Sequence, residues 1–235
     1  MFEALAYLVG FRLYVMMRRR SGDPIPTSTR WTVIAAAIVG AAIGSKILFW
    51  LEDPAITWAH RADAIFLMGG KSIVGGLLGG LAAVEIVKRR IGETRSTGDL
   101  FVLPLCVAMA IGRIGCFLTG LDDATIGGAT SLPWGIDFGD GVRRHPLPLY
   151  EIAALAAIAA WCAVPRREPG DAFKRFLALY LAFRLGVEFL KPDFGYYLGL
   201  SGIQLACIAG LAAWARHWPR VFAATGGAEA LAHGR

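Results

Sequence analysis

Two arginines stand inside long apolar stretches of the sequence, where a charge is costly. Arg113 lies near the end of one stretch and Arg184 lies within a later one. A charge at the centre of a membrane helix costs at least roughly 2.5 kcal/mol, so each arginine needs a reason to be there. A guanidinium presents a planar fork of donors that matches a phosphate or a carboxylate. Arg113 therefore indicates an anion site, unless it snorkels to the surface or binds backbone carbonyls.

The second arginine belongs to a row of polar side chains. Tyr180, Arg184 and Glu188 follow one another at steps of four residues, so they share one face of a helix. An ion pair between Arg184 and Glu188 would account for both charges without any function. Because a hydrophobic pair would pack at least as well, the retention of ions in lipid favours a functional site.

Glycines accompany these candidates. Gly112 and Gly115 leave space beside Arg113, where a ligand could bind. Gly69 and Gly70 stand at the start of another apolar stretch, and a glycine-rich helix start could offer backbone N–H groups to an anion. Most glycines of that stretch recur at small-xxx-small spacing, which also predicts close packing of helices.

The longest polar segment contains a histidine, His145, next to Arg144. Its Pro, Gly and Trp residues predict an ordered loop, with Trp134 at the level of the lipid headgroups. His145 is a candidate for chemistry, and the alternative is a hydrogen bond that braces the loop.

Long apolar helices must position these residues. The chain has 235 residues, of which 56% are hydrophobic and 18% charged, and this composition excludes a soluble enzyme. A helix that crosses ~30 Å of hydrocarbon needs about 20 apolar residues. We predict an all-α polytopic membrane protein with about seven transmembrane helices and a small cap on its outer face at 119–148. The predicted crossings are 1–17, 31–51, 67–87, 99–118, 149–164, 176–190 and 198–214.

The basic residues predict the orientation of the chain. Fifteen Lys and Arg residues lie in the tail and in the links after the first, third and fifth crossings, against four in the opposite links. Because basic residues stay in the cytoplasm, the N-terminus is predicted outside and the C-terminus inside. Residues 1–220 form a single integral-membrane domain in this interpretation, and 221–235 form a flexible cytoplasmic tail. The clusters lie between apolar stretches, which argues against a nucleic-acid partner.

On these residues the chain resembles the prolipoprotein diacylglyceryl transferases, a family of polytopic bacterial membrane enzymes. The resemblance covers nearly the whole chain, and its motifs occur in the family's order. They are Tyr7-Leu8-Val9-Gly10-Phe11, the glycine pairs from Gly69 to Gly80, Gly112-Arg113-Ile114-Gly115 with Phe117, Leu132-Pro133-Trp134, Arg144-His145-Pro146 before Leu149-Tyr150-Glu151, Phe183-Arg184 before Val187-Glu188-Phe189, and Leu200-Ser201 with Gln204.

The resemblance implies a reaction at the bacterial inner (plasma) membrane. The diacylglyceryl group of phosphatidylglycerol moves to the lipobox cysteine thiol in the signal peptide of a prolipoprotein, the first step of lipoprotein maturation. No metal or other cofactor is implied. Arg113 matches the family's signature arginine, and Arg184 with Glu188 matches an essential pair. The thiol must also lose its proton: His145 or Glu188 could take it, or the field of the arginines could lower the pKa of the thiol, and the sequence does not choose among these. The implied substrate-binding residues are Gly69, Gly70, Gly112, Gly115, Cys116, Arg144 and Tyr180.

Two other functions stay open. The chain has Val74 where the best-known members have a histidine, so the first alternative is a non-catalytic member that binds an anionic lipid headgroup. The second is a small transporter, which two inverted halves with broken helices would favour, and no such repeat is visible. The enzyme and the binder share Arg113 and Arg184, so only chemistry on the acceptor thiol separates them.

Overall fold

The computed structural model describes residues 1–123, 125–163, 168–192 and 197–222, and this part of the chain is mostly helical. The helices are α1 (Phe2–Ser21), α2 (Thr27–Glu52), α3 (Pro54–Ala59), α4 (Ala64–Gly69), α5 (Ile73–Arg90), α6 (Val102–Thr119), α7 (Leu147–Cys162), α8 (Asp171–Val187), α9 (Gly202–Ala213) and α10 (Trp218–Phe222). Single 3-10 turns lie at Asp99–Phe101, Gly120–Asp122, Glu188–Leu190 and Ala215–His217.

Each of the seven predicted crossings contains one long helix, namely α1, α2, α5, α6, α7, α8 or α9. Two stretches, Thr27–Glu52 and Asp99–Asp122, are long and apolar enough to cross a membrane, and α7 and α9 are shorter apolar helices. The prediction of a helical protein is confirmed. That all seven helices cross a membrane, with a cap outside, stays a prediction.

The crossing predicted over 67–87 is divided in the structure. Asp63 caps α4, accepting hydrogen bonds from Ile65 N at 2.9 Å and Phe66 N at 3.1 Å. Ser72 then caps α5 through Gly75 N at 3.3 Å. Each cap supplies an acceptor for the backbone N–H groups that the start of a helix leaves free. Two separate helices, α4 and α5, therefore begin within this stretch.

The crossing predicted over 176–190 begins earlier, at Asp171. Asp99 accepts hydrogen bonds from Gly170 N at 2.7 Å and from Phe173 N at 3.0 Å, and so caps α8 from a distant part of the chain. Gly170 has φ 94°, a left-handed conformation that glycine adopts without strain.

The flexible tail predicted over 221–235 is not observed at its first residue, Val221. Val221 belongs to α10 and is buried, and its carbonyl oxygen accepts a hydrogen bond from Arg175 Nη2 at 2.8 Å. Residues 223–235 of the predicted tail, and Val164 at the predicted end of the fifth crossing, lie outside the described residues.

The helices α6, α7, α8 and α9 pack side by side around the core. In the described chain α6 packs on α7, and α8 contacts α7 and α9. Their buried side chains form one apolar core with α5, which includes Val74, Cys106, Leu155, Phe176, Leu181 and Cys207. A polar side chain on these faces is therefore removed from both lipid and water, and it must find its partners within the bundle.

Glycines bring α2 and α5 into backbone contact. A Cβ atom at Gly79 would lie 2.4 Å from Gly40 O, and one at Gly44 would lie 2.4 Å from Gly75 O. Real Cβ atoms do not approach a backbone oxygen so closely. The predicted small-xxx-small packing is confirmed for Gly75 and Gly79.

We predict that Gly79→Ala lowers the thermal unfolding midpoint of the purified protein in detergent. The added methyl group overlaps the backbone of α2, and overpacking of this kind costs about 1–3 kcal/mol. Gly76→Ala is the control on the same helix, because its Cβ would meet nothing nearer than 3.6 Å. Equal midpoints for the two variants would contradict the close contact of the two backbones.

Candidate active site

A buried carboxylate joins the two arginines that the sequence singles out. Glu151 Oε2 lies 2.9 Å from Arg113 Nε and 3.2 Å from Arg184 Nη1. The three side chains come from α7, α6 and α8, and each is at least nine-tenths buried. One carboxylate oxygen therefore contacts both cations, and the two guanidiniums meet at a single group.

The position of Glu151 follows from the start of its helix. Pro148 occupies the first turn of α7, where its missing N–H is no loss. Glu151 follows in the second turn and is only 2% exposed. The two guanidiniums therefore balance the negative charge of this buried side chain.

Tyr180 completes the surroundings of Glu151. Its hydroxyl donates a hydrogen bond of 2.7 Å to the second oxygen, Oε1. The tyrosine ring is fully buried and stacks on Phe176, with 6.0 Å between the ring centroids. Both oxygens of the carboxylate are thus held, which fixes its orientation between Arg113 and Arg184.

A second carboxylate extends this network toward the end of α8. Arg184 Nη2 donates to Glu188 Oε2 at 2.8 Å, and Lys191 Nζ donates to Glu188 Oε1 at 2.6 Å. The intrahelical pair expected at steps of four is therefore present. Arg184 lies between two acids, and Glu188 lies between two cations. Positive and negative side chains therefore alternate in the contact series Arg113, Glu151, Arg184, Glu188 and Lys191.

Arg113 has the weaker hydrogen bonds of the two arginines. Its Nε–H is not aligned with Glu151, and among the described residues that nitrogen has no hydrogen-bond partner. Its Nη1 reaches only the sulfur of Cys116, a weak acceptor, at 3.7 Å. This guanidinium therefore retains donor capacity that a stronger acceptor could use.

The two glycines beside Arg113 differ in what they contact. A Cβ at Gly112 would meet nothing within 4 Å, so space is open there. A Cβ at Gly115 would lie 2.8 Å from Phe2 Cβ, which shows that α1 packs against that glycine. Gly115 therefore serves helix contact, and the expectation that Gly112 leaves room for a ligand at Arg113 stays a prediction.

Arg144 belongs to a hairpin between α6 and α7. The strands β1 (Ile136–Asp137) and β2 (Arg143–Arg144) pair antiparallel. Arg144 donates to Asp140 Oδ1 at 2.7 Å, and this hydrogen bond holds the pKa of Asp140 below its ordinary value.

His145 follows the second strand and shares a hydrogen bond of 3.1 Å between its Nδ1 and the Tyr150 hydroxyl, which also accepts from Trp134 Nε1 at 2.8 Å. The bracing hydrogen bond that the sequence left open is thus formed. It links the hairpin to the residue just before Glu151, and the histidine makes this side-chain contact with Tyr150 rather than with an arginine.

Gly69 and Gly70 lie at the end of α4 rather than at the start of α5. Lys46 Nζ donates to Gly70 O at 2.7 Å and also to Met68 O. A helix end presents carbonyl oxygens, which attract a cation, so the glycine-rich helix start expected to bind an anion is not formed here. A Cβ at Gly70 would overlap the ring of Phe49, which accounts for that glycine by packing.

The chain matches known proteins along most of its length. Residues 2–218 match the family model described as prolipoprotein diacylglyceryl transferase. The chain belongs to this family. A phosphatidylglycerol–prolipoprotein diacylglyceryl transferase from Bordetella parapertussis is 34% identical over 220 residues, covering 86% of this chain and 81% of the relative.

Other relatives carry the same name. One from Nitratidesulfovibrio vulgaris strain DP4 is 35% identical over 206 residues, covering 80% of this chain and 76% of the relative. One from Vibrio vulnificus is 32% identical over 241 residues, covering 90% and 85%. The family resemblance inferred from the sequence motifs is confirmed.

Two members of the buried charge network do not stand out in the sequence. Glu151 ends one of the family motifs, but it lies at the edge of an apolar stretch, where an acid is common. The signal that could have found it is the one that marked Arg113, namely an ionisable residue within an apolar helix. Lys191 follows Glu188 at a spacing of three, which places it on the same face.

We predict that Glu151→Gln destabilises this family member strongly. The change leaves two buried guanidiniums without their shared counter-charge, and breaking a buried ion pair by removing one partner costs about 3–5 kcal/mol. Thermal unfolding in detergent measures the effect. Glu3→Gln is the control, because the Glu3–Lys71 pair is largely exposed and such pairs contribute about 0–1 kcal/mol. If both variants unfold at the same temperature, Glu151 does not carry the network.

Proposed function

We propose that this protein transfers the diacylglyceryl group of phosphatidylglycerol to the cysteine thiol of a prolipoprotein, with Arg113 and Arg184 binding the lipid phosphate. The observation that carries the proposal is the convergence of two guanidiniums from different helices on one carboxylate oxygen. Glu151 holds both cations at one place in an apolar bundle. The family of the chain and the names of its relatives support the same reaction.

The charge change of the reaction explains why two cations are useful. The acceptor sulfur attacks the glycerol carbon of the diacylglyceryl group, a C–S bond forms and the C–O bond to phosphate breaks. The phosphodiester carries one negative charge, whereas the departing glycerol phosphate carries a second one, and the thiol proton passes to a base. Cations fixed before the reaction stabilise the added charge most in the transition state.

The neighbours of the arginines act as positioning residues in this proposal. Glu151 and Tyr180 hold the arginines at a fixed geometry, and Glu188 with Lys191 continues the alternation of charge. The weakly bonded donors of Arg113 favour this arginine as the place of the phosphate. A preorganised site of this kind does not have to reorient its charges while the substrate reacts.

The thiol proton needs an acceptor, and the two candidates differ in their surroundings. Both oxygens of Glu188 already receive hydrogen bonds from cations, so that carboxylate is poorly suited to take a proton. Half-buried His145 shares its Nδ1 with the Tyr150 hydroxyl, and no described residue hydrogen-bonds its Nε2, so we assign the proton to that second ring nitrogen. Val74, where the best-known members have a histidine, is buried in the apolar core.

The alternative function is binding of an anionic phospholipid without transfer. Val74 is the observation that favours it, because valine has no group that could exchange a proton. The deciding experiment incubates the purified protein with phosphatidylglycerol and a lipobox peptide, and measures the mass of the peptide. A peptide heavier by one diacylglyceryl group supports the transferase, and unchanged peptide with bound lipid supports the binder.

We predict that Arg113→Lys removes most of the transfer while the protein stays folded. Lysine keeps the charge but loses the planar fork, and loss of one donor that acts on developing charge lowers kcat by roughly 10²–10³-fold. The affinity for phosphatidylglycerol should fall less than kcat. Arg61→Lys is the control, since Arg61 is exposed and lies over the ring of Trp58. An undiminished rate for the Arg113→Lys variant would assign Arg113 a structural role only.

We also propose that the seven long helices cross the bacterial inner membrane, with the N-terminus and the hairpin outside. The lopsided distribution of basic residues supports this orientation. We predict that a reporter fused after Arg220 behaves as cytoplasmic and that one inserted after Gly139, in the hairpin, behaves as periplasmic. The reverse pattern would place the arginine network on the wrong face for a lipid acceptor outside the cell.

A further inference from the structure

An apolar groove runs along α5, and its lining residues include no member of the Glu151 network. Its volume is about 340 Å³, and its walls come from α2, α5, α6 and α8. On α5 it extends from Ile73 to Lys88, which corresponds to roughly 22 Å of helix. Half of a bilayer's hydrocarbon core measures about 15 Å, so the groove is long enough to hold a lipid chain from one leaflet.

The charged residues of this groove are all at one end. Its titratable lining residues are Glu85, Lys88 and Lys174, and the hydroxyls of Ser96 and Thr97 belong to the same end. This is the end at which α5 finishes and α8 starts, and the basic-residue count assigns it to the cytoplasm. The opposite end is lined by apolar residues such as Ile73, Ala41 and Met109.

Among the residues that the structure describes, the two lysines have only partial partners. Lys88 is 7% exposed, and its Nζ lies 3.2 Å from Glu85, whose side chain is 37% exposed and can turn to solvent. Lys174 Nζ lies 3.6 Å from Asp171, which already accepts a shorter hydrogen bond of 2.9 Å from Arg220. A cation that is buried beside an apolar groove favours an anionic group at that position.

We propose that this groove binds one acyl chain of an anionic phospholipid of the cytoplasmic leaflet, with the lipid phosphate at Lys88 and Lys174. The apolar walls match the chain, and the two lysines match the phosphate. An anionic headgroup at the opposite end would find no cation among the lining residues, which decides the direction of the lipid. The site is separate from Arg113 and Arg184, so it does not depend on transfer activity.

The test uses phosphatidylglycerol with a photoreactive diazirine in its acyl chain, added to protein in phosphatidylcholine nanodiscs. Mass spectrometry then locates the labelled peptides. We expect labelling of the groove residues Leu81 and Met109, and weaker labelling by a phosphatidylcholine analogue with the same chain. Because each lysine contributes substantially to binding of an anionic lipid, Lys88→Gln with Lys174→Gln should reduce labelling by phosphatidylglycerol roughly tenfold.

Matched variants show whether the label reports this groove and these lysines. Arg89→Gln with Arg90→Gln removes the same charge from exposed neighbours and should leave labelling unchanged. Arg113→Lys should also leave it unchanged. Ala37→Phe places a ring in the groove and should abolish labelling, whereas Ile38→Phe, at the next and outward-facing position, should not.

Three results would overturn the proposal. Equal labelling by the anionic and zwitterionic analogues would show that the lysines do not select an anionic headgroup. If Arg113→Lys abolishes labelling and the lysine variants leave it intact, the groove holds an acyl chain of the donor lipid that is bound at the arginines. Unchanged labelling in Ala37→Phe would place the lipid elsewhere. A protein with no transferase activity can still pass the test, so its outcome is independent of the proposed reaction.

Discussion

A carboxylate that is buried in an apolar helix bundle needs cations in direct contact, and the structure is organised around one such carboxylate. Glu151 receives Arg113 from α6, and Arg184 and Tyr180 from α8, so three helices are joined at one charged group. Each of these side chains would be costly alone, because neither lipid nor apolar core solvates a charge. The same network that ties the helices together therefore fixes two guanidiniums close enough to act on a single anion.

The arginines stand out in the sequence by themselves, whereas Glu151, the group that organises them, enters the sequence analysis only as the last residue of a family motif. Arg113 and Arg184 are found because a charge within an apolar stretch is unusual, and this signal depends on local composition alone. Glu151 lies near the edge of its predicted apolar stretch, 149–164, where an acid is less unusual. Tertiary packing decides which helices face one another, so the convergence of Arg113 and Arg184 on one oxygen becomes visible only in the folded structure.

The helix ends, too, can be predicted only in part from the sequence. The number of long helices follows from apolar stretches, and the glycines of α5 correctly indicate a close neighbour. The break between α4 and α5 depends on the caps Asp63 and Ser72, which hydropathy does not detect. The early start of α8 depends on Asp99, whose contact with Gly170 bridges distant parts of the chain. The prediction of a helix start at Gly69 and Gly70 is wrong for the same reason, because it overlooks this break.

That Arg113 and Arg184 act on one phosphate is tested most directly by a double-mutant cycle on transfer. The values of kcat/KM are measured for the wild type, Arg113→Lys, Arg184→Lys and the double variant with phosphatidylglycerol and a lipobox peptide. Residues that act as a unit give strongly non-additive losses. A shared phosphate predicts that the double variant is scarcely slower than the more impaired single variant. A double variant whose loss equals the product of the two single losses would contradict it.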